Sequence, residues 1–383
     1  MAYSYKTLEA AGDLSFKRVL LRLDLNVPVQ NDRVRDDFRI KKALRTIEFL
    51  KSRRAKIIII GHIEGETKTL RPVFDRLQTL TPLKSFVSSY ANGAVPPEIE
   101  SLAPGEAALC ENLRLYEGER TNDEKFSRAL ARLGDVYVNE AFSVSHRAHA
   151  SIVGAPGFLP HYAGFLFDDE VKNLAQSFNP LRPALFILGG AKFETKLPLL
   201  EKFLGFYDYV FVGGALANDI FKAKGYTVGE SRVSEQNLSF KHVLLERNLY
   251  LPVDVVIKGE GGVLIKRPDK IANGDMILDA GPQTVEQLRD LIRRSKFVLW
   301  NGPLGNYERG FKRPTEELAG YIAENEIRSV IGGGDTLAVL SGLGLTEKFD
   351  FVSTAGGAML EFLAKGTLPG LEALTRSTAY RVA

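Results

Sequence analysis

Short apolar runs alternate with segments of helical periodicity along most of the chain. Most runs are rich in β-branched residues and end in glycine, asparagine or a charged residue. They cover 18–26, 56–62, 107–114 and 135–142 in the first half, and 184–190, 209–214, 252–257, 297–303, 329–335 and 351–357 in the second. Near-continuous apolar strands that alternate with helices are typical of parallel sheets covered on both faces. The pattern therefore predicts an α/β protein.

Two domains account for about eleven such units better than one sheet does. A single eight-unit barrel is the alternative, but the number of runs is too high for it. The boundary is expected within 168–183, where a helical pattern with acidic residues in its first turn is broken by Pro180 and Pro183. A length of 383 residues also suits two domains.

Charge and composition exclude several classes of protein. The 50 Lys and Arg residues are balanced by 47 Asp and Glu residues, so a nucleic-acid-binding protein with a strong basic field is not indicated. The single cysteine, Cys110, excludes an intramolecular disulfide and a multi-cysteine zinc site. The first residues lack a secretory pattern, and no apolar run approaches the ~20 residues of a membrane span. We therefore expect a cytoplasmic protein without nucleic-acid or membrane partners.

Charged and amide side chains follow the strands of the first half. Arg22, Asp24 and Asn26 alternate with leucines, so period two places the three polar residues on one strand face. Other polar residues near the strand ends of this half are Arg39, His62, Arg114, Asn139 and Arg147. Ligands of open α/β sheets bind beyond the carboxyl ends of strands, and arginine suits phosphate and carboxylate groups. The pattern indicates a site for an anion; the alternative is a set of separate surface salt bridges.

Glycines occupy the corresponding positions in the second half. They are Gly189, Gly190, Gly213, Gly214, Gly302, Gly332, Gly333, Gly334, Gly356 and Gly357. Glycine allows close approach of the backbone to a ligand, and amides at helix N-termini bind phosphate. A nucleotide or polyphosphate site is indicated, with turn geometry alone as the alternative. The chain has neither a Gly-Lys phosphate loop nor the G-x-G-x-x-G fingerprint of dinucleotide-binding folds.

Three further details of the second half point to phosphate chemistry. Lys192 and Lys196 share one face if a helix begins after Gly190, although a solvated face is the alternative. Asp335 at a helix start is either an N-cap or a ligand of phosphate-bound Mg²⁺. The turn at Asn301 and the carboxylate of Glu308 could hold a base and a ribose. No nucleophile has a recognisable local signature, and direct phosphoryl transfer needs positioning and charge neutralisation instead.

In their order along nearly the whole chain, these segments resemble the phosphoglycerate kinase family. The matching segments are RLDLNVP, DDFRIKKALRTI, GH at 61–62, ENLRLY, GDVYVNEAF, HRAHAS, ILGGAKFETK, VGGALA, GYTVGES, LPVDVV, WNGPLG, IGGGDT and STAGGAMLEFL. So many ordered motifs are far more specific than any single glycine cluster.

The resemblance implies two doubly wound, Rossmann-like parallel-sheet domains that face a central cleft. A phosphoglycerate-binding domain would comprise 1–168 and the tail 371–383, and a nucleotide-binding domain would comprise 169–370, with a hinge helix at about 168–180. The implied reaction of glycolysis and gluconeogenesis transfers a phosphoryl group from 1,3-bisphosphoglycerate to ADP, giving 3-phosphoglycerate and ATP. It is Mg²⁺-dependent, in-line and follows domain closure, and the resemblance also suggests a monomer.

The resemblance assigns roles to individual positions. Contacts to the acid substrate would come from Asp24, Asn26, Arg39, His62, Arg114, Arg147, Gly356 and Gly357. Catalysis would rest on Arg39, Lys192, Gly333 and Gly334. The nucleotide would contact Lys192, Lys196, Gly213, Gly214, Asn301, Pro303, Glu308, Gly332, Gly333, Gly334, Asp335 and Thr336. Asp335 would hold Mg²⁺, which arrives as Mg-ADP or Mg-ATP.

The chain departs from the family pattern after His62. The usual Leu-Gly-Arg-Pro is replaced by the sequence at 63–66, Ile-Glu-Gly-Glu, so that one arginine is lost and two acids lie near an anion site. Ala215 and Ala355 also replace glycines of the pattern. We expect weaker affinity for the acid substrate. Two alternatives stay open here: a degenerate nucleotide-binding relative with a scaffold or regulatory role, and an enzyme for a different small acid.

Overall fold

The computed structural model describes residues 3–91, 93–191, 193–235 and 240–376, and it separates into two compact units. The chain passes from the first unit to the second between Lys172 and Asn173, and returns to the first between Ala364 and Lys365. Each unit contains a six-stranded sheet in which all strand pairs are parallel. The predicted α/β class with Rossmann-like parallel sheets is confirmed.

The sheet of the first unit has the order β5-β6-β4-β1-β7-β8. Its strands, together with the antiparallel hairpin β2-β3, are β1 (Arg18–Arg22), β2 (Val29–Gln30), β3 (Arg33–Val34), β4 (Lys56–Ile60), β5 (Ser85–Val87), β6 (Ala107–Cys110), β7 (Val136–Asn139) and β8 (His161–Ala163). Every predicted run of this half contains a strand, but each strand ends before the predicted run does. Asp24, Asn26, His62 and Arg114 therefore lie in the connections just beyond, whereas Arg22 and Asn139 are the last residues of β1 and β7.

Helices cover the sheet because its strands carry apolar residues on both faces. The α-helices of the first part of the chain are α1 (Phe38–Ser52), α2 (Arg71–Leu80), α3 (Pro97–Glu100), α4 (Glu117–Thr121), α5 (Glu124–Ala131) and α6 (Phe165–Ala175). One buried cluster joins β1, β4 and α1 through residues such as Leu21, Ile59 and Ile47. Short 3₁₀ or π turns lie at Leu8–Ala10, Leu113–Leu115, Phe142–Val144, Ala150–Gly154 and Ala155–Phe158.

The sheet of the second unit has the order β11-β10-β9-β15-β16-β17. The strands of this unit are β9 (Ala184–Leu188), β10 (Tyr209–Val212), β11 (Leu249–Tyr250), β12 (Val255–Gly259), β13 (Gly262–Lys266), β14 (Met276–Ala280), β15 (Phe297–Asn301), β16 (Arg328–Gly332) and β17 (Phe351–Val352). The chain builds one side of the sheet outward from β9 and then the other side from β15. The boundary between β9 and β15 is therefore the point at which strand order reverses, where doubly wound folds bind ligands.

The helices of the second unit follow its strands in the same alternating manner. They are α7 (Phe193–Leu204), α8 (Gly214–Ala223), α9 (Pro282–Arg293), α10 (Arg313–Glu324), α11 (Gly334–Gly342) and α12 (Gly357–Lys365), with 3₁₀ turns at Gln176–Phe178, Val243–Leu245, Pro268–Lys270, Tyr307–Arg309 and Thr346–Lys348. No helix among the residues that the structure describes is long and apolar enough to cross a membrane.

One predicted parallel strand is wrong. The run 252–257 was expected to join the parallel sheet, but its residues from Val255 onward form the centre of a separate antiparallel sheet, in the order β13-β12-β14. An apolar run indicates burial without indicating the direction of the neighbouring strand, and here a tight hairpin at 260–261 sets that direction.

The last described helix, α13 (Pro369–Thr375), belongs to the first unit. The amide of Gly370 donates to the carbonyl of Ser145 at 2.8 Å, and the hydroxyl of Tyr3 donates to the carbonyl of Gly366 at 2.9 Å. Leu371 and Leu374 of this helix are buried. The first unit is thus completed by a segment that follows the second unit in the chain.

A buried carboxylate holds the start of α6 to the rest of the first unit. Glu140, just after β7, accepts hydrogen bonds from the backbone amides of Leu166 (3.0 Å) and Phe167 (3.3 Å) and from the hydroxyl of Thr46. The first amides of a helix have no partner inside it, so this side chain supplies an acceptor that the helix itself lacks.

Replacement of Glu140 by alanine should therefore lower the free energy of unfolding. Three donors would lose their acceptor in a buried place, which costs about 2–4 kcal/mol in total. Urea unfolding followed by circular dichroism measures the change. Glu124→Ala is the control, since the Glu124 side chain is 70% exposed and its ion pair with Arg128 is worth at most about 0.5 kcal/mol. Equal effects of the two substitutions would show that Glu140 does not tether the helix.

Candidate functional site

Three of the predicted substrate-binding residues meet just beyond the carboxyl end of β1. Arg39 lies in the first turn of α1, and its Nη1 donates to Asp24 Oδ2 at 2.9 Å and to the carbonyl of Asn26 at 3.1 Å. Asp24 is buried, and its second oxygen accepts the backbone amide of Asn26 at 3.1 Å. The hydroxyl of Ser143 donates to the same oxygen that Arg39 contacts. The guanidinium is therefore held in place by a fixed carboxylate.

His62 follows β4 and is buried beside Arg22, the last residue of β1. Arg22 Nη2 lies 3.2 Å from His62 Nδ1, and Arg22 Nε donates to the hydroxyl of Ser151 at 2.9 Å. A guanidinium only donates, so His62 Nδ1 accepts and the ring proton is on Nε2. Burial, followed by the charges of Arg22, Arg114 and Arg147, lowers the pKa of His62 to about 2. The imidazole is thus a neutral donor at physiological pH.

A second group of cations lies after β6 and in the segment before the turn at Ala150. Arg114 has a side chain only 7% exposed, and its Nη1 lies 3.5 Å from His149 Nε2. Its Nε has no hydrogen-bond partner among the described residues. Arg147 Nε donates to His146 Nε2 at 3.4 Å. Burial and the charges of Arg114 and Arg147 lower the pKa of His149 to about 4. Burial is the larger cause of the low pKa of both histidines, and the neighbouring arginine charges lower it further.

One carboxylate faces this potential. Glu64 Oε1 lies 3.2 Å from Arg114 Nη2 and 3.4 Å from Arg147 Nη1. The backbone amide of Glu64 donates to Asn26 Oδ1 at 3.0 Å. The loop that departs from the family pattern thus connects the Arg39 group with the Arg114 group.

The six predicted acid-substrate side chains therefore lie at one edge of the first sheet. Sequence reasoning included Arg22 in the predicted anion site but gave no substrate contact to Arg22, Ser143 or His149, each of which contacts one of the six. Period two did place Arg22 on the same face as Asp24, and that signal was available for its inclusion. Gly356 and Gly357, predicted for the same substrate, belong to the second unit, at the start of α12.

In the second unit, backbone contacts connect the loops on either side of the strand reversal. The amide of Gly189 donates to the carbonyl of Asn301, and the amide of Gly190 to that of Pro303, both at 2.8 Å. Gly214 has φ +60°, and a Cβ there would lie 2.5 Å from the Gly190 amide nitrogen. These glycines therefore allow the loops to approach one another.

A pocket opens beside these loops. Gly214, Pro303, Glu308 and Asp335, all predicted for the nucleotide, line it. Further lining residues that sequence reasoning missed are Asn218, Phe221, Arg232, Leu278, Asp279 and Tyr307. Asn218 and Phe221 lie four and seven residues beyond Gly214 on α8, a helical spacing that could have suggested them, whereas residues 278–279 belong to the antiparallel sheet that was not foreseen.

Other predicted nucleotide residues lie around the strand reversal but do not line the pocket. Lys196 is 4% exposed and donates to the carbonyl of Gly189. Lys192, predicted to share its helix face, lies outside the described residues. Asn301 is 2% exposed, and Gly332 packs against Met359. Gly213 is buried against Phe211 and Leu304, away from open space.

The start of α11 differs from these packed loops. Thr336 Oγ1 is buried and has no hydrogen-bond partner within the described part of the chain. Gly333 has φ +105°, and a Cβ there would lie 3.4 Å from that hydroxyl oxygen. At Gly334, in contrast, a Cβ would meet no atom within 4 Å. Backbone amides, an orphaned hydroxyl and open space together make this helix start suitable for an anion.

Asp335 fits Mg²⁺ that is brought in by phosphates better than a resident ion. It is an exposed carboxylate at the helix start. The described residues contain no group of three His, Cys, Asp or Glu side chains that could hold a metal alone. Mg²⁺ commonly uses one or two protein carboxylates together with substrate phosphates and water, which is the donor set that Asp335 and a nucleotide would supply.

Comparison with known proteins identifies the family. The family model described as phosphoglycerate kinase matches residues 9–366. The chain is 39% identical to the phosphoglycerate kinase of Dictyoglomus turgidum over 94% of this chain and 96% of that protein. It is 37% identical to that of Desulfosudis oleivorans, over 98% and 99%.

Solved structures agree with the sequence comparison. Phosphoglycerate kinase from Coxiella burnetii has a TM-score of 0.84 at 34% identity and covers 97% of this chain and 99% of its own. The enzyme from Pyrococcus horikoshii OT3 has a TM-score of 0.83 at 29% identity, over 96% and 98%. The match extends through both parallel-sheet units and their strand-end residues, and on this basis the chain belongs to the phosphoglycerate kinase family.

Proposed function

We propose that this protein catalyses the reversible, Mg²⁺-dependent transfer of a phosphoryl group from 1,3-bisphosphoglycerate to ADP, which gives 3-phosphoglycerate and ATP. The observation that supports it most is the family match over 9–366, which includes both the cationic strand ends of the first unit and the glycine loops of the second. Transfer is direct between the two bound substrates, without a covalent enzyme intermediate. The protein works in the cytoplasm as a monomer, without nucleic-acid or membrane partners.

The first unit, with the tail, binds the acid substrate. Asp24 and Asn26 orient Arg39, while neutral His62 donates from Nε2. Arg114 and Arg147 neutralise the anionic groups, and Arg114 Nε, which has no hydrogen-bond partner among the described residues, gains an acceptor. The guanidinium of Arg39 takes a share of the charge on the transferring phosphoryl oxygens, which is the main contribution that a protein makes to this chemistry.

The second unit binds the nucleotide. Gly214 and Pro303 line the base, with Gly213 packed behind them, Glu308 holds the ribose hydroxyls, and Lys192, Lys196 and Asn301 contact the phosphates. The segment Gly332–Thr336 supports the phosphoryl group with its backbone amides, and Gly356 and Gly357 do so from the start of α12. Asp335 would hold Mg²⁺, which neutralises charge on the nucleotide phosphates when bound.

The alternatives make different predictions about turnover. The comparisons do not favour a scaffold or regulatory relative, because the family model, the sequence relatives and the solved structures described above are all phosphoglycerate kinases. Such a protein would bind nucleotide without phosphorylating 3-phosphoglycerate. An enzyme for another acid would phosphorylate a different small acid in a substrate panel but would not phosphorylate 3-phosphoglycerate.

Replacement of Arg39 by alanine should lower kcat for Mg-ATP-dependent phosphorylation of 3-phosphoglycerate by about 10²–10³-fold, because one charge-stabilising group is lost. The rate is measured as ADP formation, with the acyl phosphate trapped as its hydroxamate. Arg45→Ala is the control on the same helix, since Arg45 is 62% exposed and makes only surface contacts, with the carboxylate of Asp169 and the ring of Phe165, among the described residues. It should keep kcat within twofold. Comparable losses in the two variants, or an inactive wild type that folds and binds nucleotide, would refute the proposed function.

Replacement of Gly334 by alanine should weaken nucleotide binding without lowering the stability of the fold. The Cβ enters open space, so the melting temperature should stay within about 2 °C, whereas Mg-ATP affinity should fall at least about tenfold because phosphates approach there. Gly214→Ala is the matched contrast. Its positive φ and the 2.5 Å approach to Gly190 should reduce stability by about 2 kcal/mol or more. Calorimetry measures both quantities. Unchanged nucleotide affinity in Gly334→Ala would exclude the start of α11 as a phosphate site.

A further inference from the structure

The loop after β4 is built to present Glu64. Ile63 is 2% exposed in the core of the first unit, and both its amide and its carbonyl are bound by the side chain of Asn112, at 3.2 and 3.0 Å. The amide of Glu64 is then bound by Asn26 Oδ1 at 3.0 Å. Gly65 has φ +118°, so the chain turns away directly afterwards. The backbone on both sides of the Glu64 Cα is therefore determined by contacts other than its ion pairs.

This backbone directs the carboxylate to two neighbouring arginines, Arg114 and Arg147. Glu64 Oε1 is within 3.4 Å of both Arg114 and Arg147, and the buried Nε of Arg114 has no hydrogen-bond partner in the described part of the chain. Burial, helped by the charges of Arg114 and Arg147, lowers the pKa of His62 and of His149 beside the same two guanidiniums. The site thus holds one internal anion on the two guanidiniums that the substrate anion would also use.

We propose that the Glu64 carboxylate is an internal counter-anion of the acid-substrate site, which the anionic group of the substrate displaces from Arg114 and Arg147. Only the identity of the displacing molecule, 3-phosphoglycerate, rests on the proposed function. Glu64 would then determine affinity for the acid substrate without touching the reacting atoms. It would also favour anions with more charge than its own, because a doubly charged phosphate gains more from two guanidiniums than a carboxylate does.

The test is a neutral side chain of the same shape. Glu64→Gln should lower the dissociation constants for inorganic phosphate and for 3-phosphoglycerate by about tenfold. The entering anion would then no longer have to break the ion pairs of Glu64 with Arg114 and Arg147. In turnover assays KM for 3-phosphoglycerate should fall to a similar extent while kcat stays within twofold. Isothermal titration calorimetry supplies the two binding constants without any need for turnover.

Glu66→Gln is the control for a general change of charge. Glu66 lies two residues further along the same loop and is exposed. Its substitution should change each constant by less than twofold. Glu64→Ala serves as a second test variant, and its melting temperature shows whether the loop has kept its fold.

The outcomes separate this inference from the proposed function. Unchanged phosphate affinity in both Glu64 variants, or an equal gain in Glu66→Gln, would overturn the counter-anion role even if the wild type phosphorylates 3-phosphoglycerate. A tenfold gain for inorganic phosphate in a protein that fails to phosphorylate 3-phosphoglycerate would support the counter-anion role and reject the reaction. A fall in KM with constant kcat would support both.

Discussion

All strands of each six-stranded sheet run in the same direction, and this constraint brings together side chains that are distant in the chain. Strands β1, β4 and β6 are neighbours, so the residues that follow them share one sheet edge. Asp24, His62 and Arg114 meet there although they belong to three separate connections. In the second unit the same constraint places the loop after β9 beside the loop after β15. Neither site would form if one of these strands were reversed.

The parallel strands bring different chemical groups together in the two units. In the first unit, side chains form the proposed acid-substrate site, and buried partners such as Asp24 and Arg22 hold Arg39 and His62 in position. In the second unit, the backbone comes close to itself at Gly190 and Gly214 and leaves open space at Gly334. A run of glycines therefore has two meanings. Some positions allow loops to pack on each other, and others leave room for a ligand.

Much of this arrangement could be predicted from the sequence, because parallel strands are marked by apolar runs and their ends by abrupt polar or glycine residues. The short strands β5 and β8 escaped prediction since Ser85–Val87 and His161–Ala163 have no extended apolar run. The direction of β12 escaped because burial does not encode strand direction. The contacts of Glu64 could not be predicted from the sequence for another reason. Its partners lie 50 and 83 residues away, and only the fold shows that an exposed acid reaches them.

The return of the chain to the first unit has a consequence for its synthesis on the ribosome. His161 lies 3.0 Å from the carbonyl oxygen of Arg376, which is 215 residues later in the chain. Gly370 packs against Ser145 and Ile152, which also emerge long before it. Until the second unit has been translated, the surface that α13 covers is exposed to water. The first unit to be translated is thus the last to be completed, and a nascent chain released before residue 376 lacks part of its packing.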